Sequence, residues 1–147
     1  RCKDLIGIVL THAHEDHLGA VADLWPRLKA PVYATPFAAS VLRRKLTQAG
    51  LVDDVWVTEI PLQGKFSLGP FDLEMITMTH SILEPNAMAI RTKFGTIFHT
   101  GDWKIDPEPL LGDLTDEAML NCQSARIDSY VAVSERSSGC WRARVRM

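Results

Sequence analysis

The sequence predicts an α/β fold, because apolar and amphipathic runs alternate along the chain before a long stretch of strands. The run at 5–11 is almost continuously apolar and rich in β-branched residues, which is typical of a buried strand. A helical pattern at 17–28, interrupted late by Pro26, leads to a second short strand at 31–35. Residues 36–50 begin with a proline and end with a glycine, as helices commonly do.

The remaining pattern up to residue 102 predicts strands. The run at 55–62 alternates as a half-buried strand, and residues 66–80 form a hairpin that ends at His80. A second hairpin, at 87–102, ends in the sequence His-Thr-Gly-Asp. The polar residues therefore stand at the ends of strands, which is where α/β folds place their functional sites.

Length and composition indicate one ordinary globular domain. The chain has 147 residues, of which 46% are apolar and 23% are charged, and its net charge is −2. No apolar run approaches the roughly 20 residues of a membrane span, so we expect no membrane partner. Three cysteines, at positions 2, 122 and 140, are odd in number and far apart. They indicate reduced thiols and a cytoplasmic location.

The composition changes near residue 120. Residues 1–120 hold eleven Lys and Arg against sixteen acidic residues, whereas residues 121–147 hold five Arg, no Lys and two acidic residues. The second segment is rich in Arg and Ser and has no sustained period. We therefore expect a partial domain over 1–120 and an atypical tail over 121–147, interpreted as an out-of-frame or vector-derived continuation of a truncated gene.

Three histidines and two acidic residues follow the first predicted strand within six positions, 12–17. In an extended segment, residues two apart face the same side, so His12 and His14 can face one ion. Asp16 and His17 come where the chain enters a helix and can face a neighbouring ion, about 3.5–4 Å away in two-metal sites. Imidazole and carboxylate donors suit Zn²⁺, or Mn²⁺ where oxygen ligands dominate.

Two later strand ends complete the predicted site. His80 would add a third nitrogen to the first ion, and Asp102 would bridge both ions. Two such ions would lower the pKa of a shared water to about 7 and stabilise developing negative charge. Asp16 would also take part in proton transfer, so Asp16 and Asp102 are the catalytic candidates. Ser81 is a candidate for binding a substrate oxygen or, equally, a strand-end cap, and His99 fits a supporting structural role.

These motifs resemble the metallo-β-lactamase fold superfamily. The run THAHEDH is similar to its HxHxDH signature, His80 to its next histidine ligand, and HTGD with Asp102 to its bridging aspartate. More narrowly, three runs resemble ribonuclease J, of the β-CASP branch: GIVLTHAHEDHLGAVADLW, MTHSILEPNAMAIRTKFGTIFHTGDWKID and DLTDEAML. The resemblance covers roughly residues 4–120.

The resemblance implies a four-layered αβ/βα sandwich, of which the chain holds roughly the first half, without the first strands and the C-terminal half. It implies metal-dependent hydrolysis of RNA phosphodiester bonds through attack by hydroxide. The implied zinc ligands are the six motif residues: His12, His14 and His80 for one ion, Asp16 and His17 for the second, and Asp102 for both.

The β-CASP domain and a further histidine ligand of the family are not among the 147 residues. Two alternatives to a ribonuclease therefore stay open. The open site favours small esters, lactones or β-lactams, or the chain binds metal without useful turnover, because substrate positioning supplies much of any rate. A half-sandwich exposes apolar surface and unpaired strand edges, so we also expect a homodimer or another form of self-association.

Overall fold

Two sheets, each in its own part of the chain, organise the fold. The computed structural model describes residues 4–104 and 106–124 and the strand at 129–131, with side chains described up to residue 121. The chain divides into two units, Arg1–Pro61 and Leu62–Met147, called here the N-terminal and C-terminal units. In the described part of the chain, no helix has the length and apolar character needed to cross a bilayer.

The N-terminal unit contains a three-stranded parallel sheet in the order β1-β2-β3. The strands are β1 (Ile8–Val9), β2 (Val32–Ala34) and β3 (Val57–Glu59). The helices are α1 (Glu15–Leu18), α2 (Val21–Leu28) and α3 (Pro36–Gln48), and α3 packs against β2 and β3. The predicted alternation of strand and helix is confirmed, although β1 covers only Ile8–Val9 of the strand expected at 5–11.

The helical pattern at 17–28 forms two helices rather than one helix interrupted by Pro26. Pro26 lies inside α2, and the helix continues beyond it, since the Lys29 N–H donates to the Trp25 carbonyl at 2.8 Å. A proline removes one backbone donor. The buried Trp25 side chain compensates, because its indole N–H donates to the Ala30 carbonyl at 2.8 Å and anchors the end of α2.

The predicted limits of α3 are confirmed. Pro36 is its first residue, and Gly50 follows it with a φ of +68°, which a glycine adopts without strain. The Gly50 N–H donates to the Thr47 carbonyl at 3.1 Å, and the Leu51 N–H donates to the Leu46 carbonyl at 2.8 Å. These two bonds form a Schellman motif, which satisfies the last carbonyls of the helix.

The C-terminal unit contains a five-stranded sheet in the order β4-β5-β6-β7-β8. The strands are β4 (Lys65–Leu68), β5 (Phe71–Thr77), β6 (Asn86–Thr92), β7 (Gly95–His99) and β8 (Ser129–Val131). The first four pair antiparallel, as the two predicted hairpins require, and β8 joins β7 in parallel. One helix, α4 (Glu117–Ser124), completes the described elements of this unit.

One face of the five-stranded sheet carries the core of the C-terminal unit. Its buried members come from three neighbouring strands and their ends: Ile76, Met78, Ala87, Ala89 and Phe98. Trp103 and two α4 residues, Met119 and Leu120, pack against them. Asp116 caps α4, because its Oδ1 accepts a hydrogen bond from the Met119 N–H at 2.9 Å. This cap stabilises the start of α4, and the packing of Met119 and Leu120 holds the helix against the sheet.

The expected boundary at 120/121 falls within α4, which extends to Ser124. Residues 129–131 pair with β7, and the rest of the tail, including Cys140, lies outside the described residues. The origin of residues 121–147 therefore stays a prediction.

Candidate metal centre

The extended segment after β1 carries the first two candidate ligands. His14 has φ −67° and ψ 150°, an extended conformation, and immediately precedes α1. The His12 side chain is fully buried, and its ring lies 4.9 Å from the His14 ring, almost perpendicular to it. One ring nitrogen of each residue lies within 4.8 Å of the other. The His-x-His spacing therefore places two imidazole donors side by side, as the alternation of an extended chain predicts.

Thr11 contacts the first of these histidines. Its hydroxyl lies 3.0 Å from Nδ1 of His12, and both residues are buried. Histidines that bind metals commonly donate their other ring N–H to a neighbouring oxygen, which fixes the tautomer and the ring orientation. With Nδ1 of His12 in contact with Thr11, Nε2 is the ring nitrogen that could bind a metal. Sequence reasoning missed Thr11, although it directly precedes the cluster.

The first turn of α1 carries the other two residues of the cluster. Nε2 of His17 lies 3.6 Å from Oδ2 of Asp16, and the His17 ring lies 4.1 Å from the His12 ring. The Asp16 side chain is 66% exposed, whereas that of His17 is 22% exposed. Lys45 on α3 donates to the Glu15 carboxylate at 2.8 Å and so links α1 to α3.

In the C-terminal unit, the two remaining ligand candidates lie together. His80 follows the end of β5, and Asp102 follows the end of β7. Nε2 of His80 lies 3.9 Å from Oδ2 of Asp102, and both side chains are at least 95% buried. Ser81 is exposed beside His80, and its role stays a prediction.

A tight turn places Asp102 after β7. Gly101 has a φ of +58°, a left-handed conformation that favours glycine. The Gly101 N–H donates to Nδ1 of His99 at 3.0 Å. His99 thus accepts this backbone bond through an unprotonated Nδ1, in keeping with the supporting structural role expected of it.

The donor types in each unit fit a divalent cation. The N-terminal unit provides three imidazoles and a carboxylate from His12, His14, Asp16 and His17, and the C-terminal unit provides an imidazole and a carboxylate from His80 and Asp102. Imidazole and carboxylate are the donors of zinc sites, and a larger oxygen share favours Mn²⁺. A buried carboxylate such as Asp102 is costly unless positive charge lies nearby, which a metal supplies.

Comparisons with known proteins agree with these features. The model of the beta-lactamase superfamily domain matches residues 1–138. Ribonuclease J of Sinorhizobium meliloti is 49% identical over 116 residues, which cover 79% of this chain and 21% of that protein. Ribonuclease J of Helicobacter pylori is 44% identical over 110 residues, which cover 74% of this chain and 16% of that protein. The chain thus spans between about a sixth and a fifth of the length of these curated relatives.

Solved structures share the fold at low sequence identity. Zn²⁺-bound PqqB from Methylobacterium extorquens has a TM-score of 0.61 at 15% identity, and the match covers 86% of this chain and 41% of that one. The MIM-2 metallo-β-lactamase has a TM-score of 0.59 at 18% identity, covering 90% of this chain and 58% of that one. The expected α/β fold, a partial metallo-β-lactamase sandwich, is confirmed. Because the family model matches residues 1–138 of 147, the chain belongs to the beta-lactamase superfamily.

Proposed function

We propose that this chain carries the metal site of a zinc-dependent hydrolase that cleaves RNA phosphodiester bonds. The observation that carries the proposal is the buried pair of His80 and Asp102, whose donor atoms lie 3.9 Å apart in a superfamily member 49% identical to a ribonuclease J. A buried imidazole beside a buried carboxylate suits a cation better than it suits an apolar ligand. The ribonuclease J relatives support RNA as the substrate.

The proposed metal ligands are the six His and Asp residues at the strand ends and in α1. His12, His14 and His80 hold one zinc, Asp16 and His17 hold the second, and Asp102 contacts both. The second ion has one fewer protein ligand than the first and therefore binds more weakly. Mn²⁺ replaces Zn²⁺ where the oxygen donors dominate.

The two catalytic carboxylates take different roles because their burial differs. Bound divalent ions acidify a coordinated water and stabilise negative charge on a phosphoryl oxygen. Asp102 is buried and holds positive charge in place, whereas Asp16 is 66% exposed and can accept a proton from water and release it to solvent. Ser81 is exposed beside His80, which supports a role as a hydrogen-bond donor to a substrate oxygen.

A hydrolysis assay on the full chain tests this function. Labelled RNA, nitrocefin and a p-nitrophenyl ester are compared with and without a chelator, for the wild-type chain and for His14→Ala. We expect chelator-sensitive RNA cleavage that His14→Ala abolishes. Preference for either small substrate would favour the open-site alternative, and equal residual rates in both proteins would mean no metal chemistry.

A pair of aspartate variants isolates the role of Asp16. Asp16→Asn removes the proposed proton acceptor and is expected to lower the rate by about 10²-fold or more. Asp23→Asn makes the same change at an exposed position of α2 and is expected to leave the rate unchanged. Equal rates in the two variants would remove Asp16 from the mechanism.

We further propose that the chain self-associates and acts in the cytoplasm. Leu110 and Leu111 are 99% and 65% exposed, so they offer apolar surface that a second copy can cover. The three cysteines without disulfide spacing support a reducing compartment. A monomer in light scattering at tens of micromolar would contradict self-association, and one disulfide in the protein isolated from cells would contradict the location.

A further inference from the structure

Thr79 lies between β5 and His80, and all its polar groups bond to segments that follow Asp102. The Lys104 N–H donates to the Thr79 carbonyl at 2.8 Å, and the Thr79 hydroxyl donates to the Lys104 carbonyl at 2.7 Å. His80 is the next residue after Thr79, and Asp102 is two residues before Lys104. These two bonds therefore fix the backbones of both ligand candidates relative to each other.

Thr115 joins the same network. Its hydroxyl oxygen accepts a hydrogen bond from the Thr79 N–H at 2.9 Å and lies 2.7 Å from Oγ1 of Thr79. Each hydroxyl has one proton, so the Thr79 hydroxyl donates to Lys104 and the Thr115 hydroxyl donates to Thr79. The next residue, Asp116, donates its N–H to the Thr77 carbonyl at 3.1 Å and caps α4. The start of α4 is thus fixed to the end of β5.

We propose that Thr79, held by Thr115, is a positioning residue for the metal: it sets the separation of His80 and Asp102. Thr79 is 2% exposed, and its hydroxyl is hydrogen-bonded both to the Lys104 carbonyl and to the Thr115 hydroxyl. Metal–ligand distances tolerate deviations of only about 0.2 Å, so a small shift between the two backbones weakens binding. This inference rests on the metal site proposed above.

Zinc affinity, measured by competition with a chelating dye on the full chain, tests the proposal. Thr79→Val keeps the shape of the side chain, removes the hydroxyl and is expected to raise the zinc dissociation constant roughly 10- to 100-fold, as the loss of outer hydrogen bonds does in metal sites. Thr79→Ser retains the hydroxyl and is expected to keep the wild-type affinity.

Thr92→Val provides a matched control. The Thr92 hydroxyl donates to the Gly95 carbonyl and accepts from the Phe94 N–H, both at 3.1 Å, so the same substitution removes two comparable bonds. Thr92 lies at the opposite end of β6 from Asn86, which pairs with the end of β5. We therefore expect Thr92→Val to leave zinc affinity unchanged.

The possible outcomes separate this inference from the proposed function. A wild-type chain that does not bind zinc refutes the metal site itself. If the wild-type chain binds zinc but no more tightly than Thr79→Val does, only the role of Thr79 is overturned. The same holds if Thr79→Ser binds zinc as weakly as Thr79→Val. If circular dichroism shows that metal-free Thr79→Val has lost its fold, Thr115→Val replaces it in the test. Weaker zinc binding by Thr115→Val supports the proposal, and unchanged zinc binding overturns it.

Discussion

The buried carboxylate of Asp102 lies 3.9 Å from Nε2 of His80. Each side chain would be better solvated in water, and both sit where a divalent ion would offset the cost of burial. The free energy of unfolding of the chain should therefore increase when a metal binds beside these two residues.

The first prediction is that zinc raises the melting temperature. A ligand that binds only the folded state at 100 times its dissociation constant adds about 2.7 kcal/mol. For a chain of this size, that corresponds to an increase of roughly 5–10 °C. Differential scanning calorimetry with zinc and with excess chelator measures the shift. We expect Asp102→Asn to reduce it, and equal melting temperatures for the wild type in the two buffers would contradict the prediction.

The second prediction concerns the contact of Thr11 with His12. Thr11→Val removes the oxygen that orients the ring, so zinc should bind roughly 10-fold more weakly or worse, while Thr11→Ser should behave as the wild type. Thr47→Val is the control in the same unit, because the Thr47 hydroxyl bonds only locally, to the Arg43 carbonyl at 2.9 Å. A zinc titration in which Thr11→Val and Thr47→Val agree would refute the role of Thr11.

The third prediction is that Gly101→Ala weakens both stability and zinc binding. A left-handed conformation costs a residue with a Cβ about 1–2 kcal/mol, and relief of this strain would move Asp102. Gly50→Ala has a similar backbone cost at a φ of +68°, with open space for the added Cβ, but it lies at the end of α3. Urea unfolding should show a lower free energy of unfolding in both variants. Zinc titration should show weaker binding by Gly101→Ala alone, and equal zinc affinity in the two variants would show that the turn does not position Asp102.

The fourth prediction concerns Glu74, which is 2% exposed and pairs with Lys65 at 2.9 Å and with Arg91. Burial raises the pKa of Glu74, but hydrogen bonds and positive charge from both partners outweigh it, so the pKa lies below the usual 4.5. A carboxyl group whose pKa is lower in the folded state than in the unfolded state stabilises the fold at pH values above the unfolded pKa. This contribution is lost as the pH falls through the folded pKa. We expect stability to decline below a pH of about 4.5.

Glu74→Gln tests the contribution of the Glu74 carboxylate to stability. It should cost about 2 kcal/mol at neutral pH and should flatten the acid decline of the unfolding free energy. Glu59→Gln changes an ion pair with Arg43 in which both side chains are more than 40% exposed, so it should cost less than 1 kcal/mol. Denaturant titrations from neutral to acid pH give both values. Parallel curves for Glu74→Gln and the wild type would contradict the prediction.

Much of the fold was predictable because its signals are local. The Pro36 start and Gly50 stop of α3 depend on backbone geometry that neighbouring residues determine, and the structure confirms both. The two hairpins follow from alternating apolar residues and turn residues. The path of α2 through Pro26 was not predictable, because burial of Trp25 and its bond to Ala30 offset the lost donor.

The sequence by itself determined the types of the candidate metal donors and their neighbours along the chain. His12 and His14 share one side of an extended segment because alternate residues do so in any strand. Only the tertiary structure decided that His80 and Asp102 lie together, since β5 and β7 both pair antiparallel with β6 and their C-terminal ends therefore meet at the same edge of the sheet. It also decided the hydrogen-bond partners of Thr11 and Thr79. A threonine hydroxyl can bond to many partners, and its partner is fixed only when the backbone around it is folded.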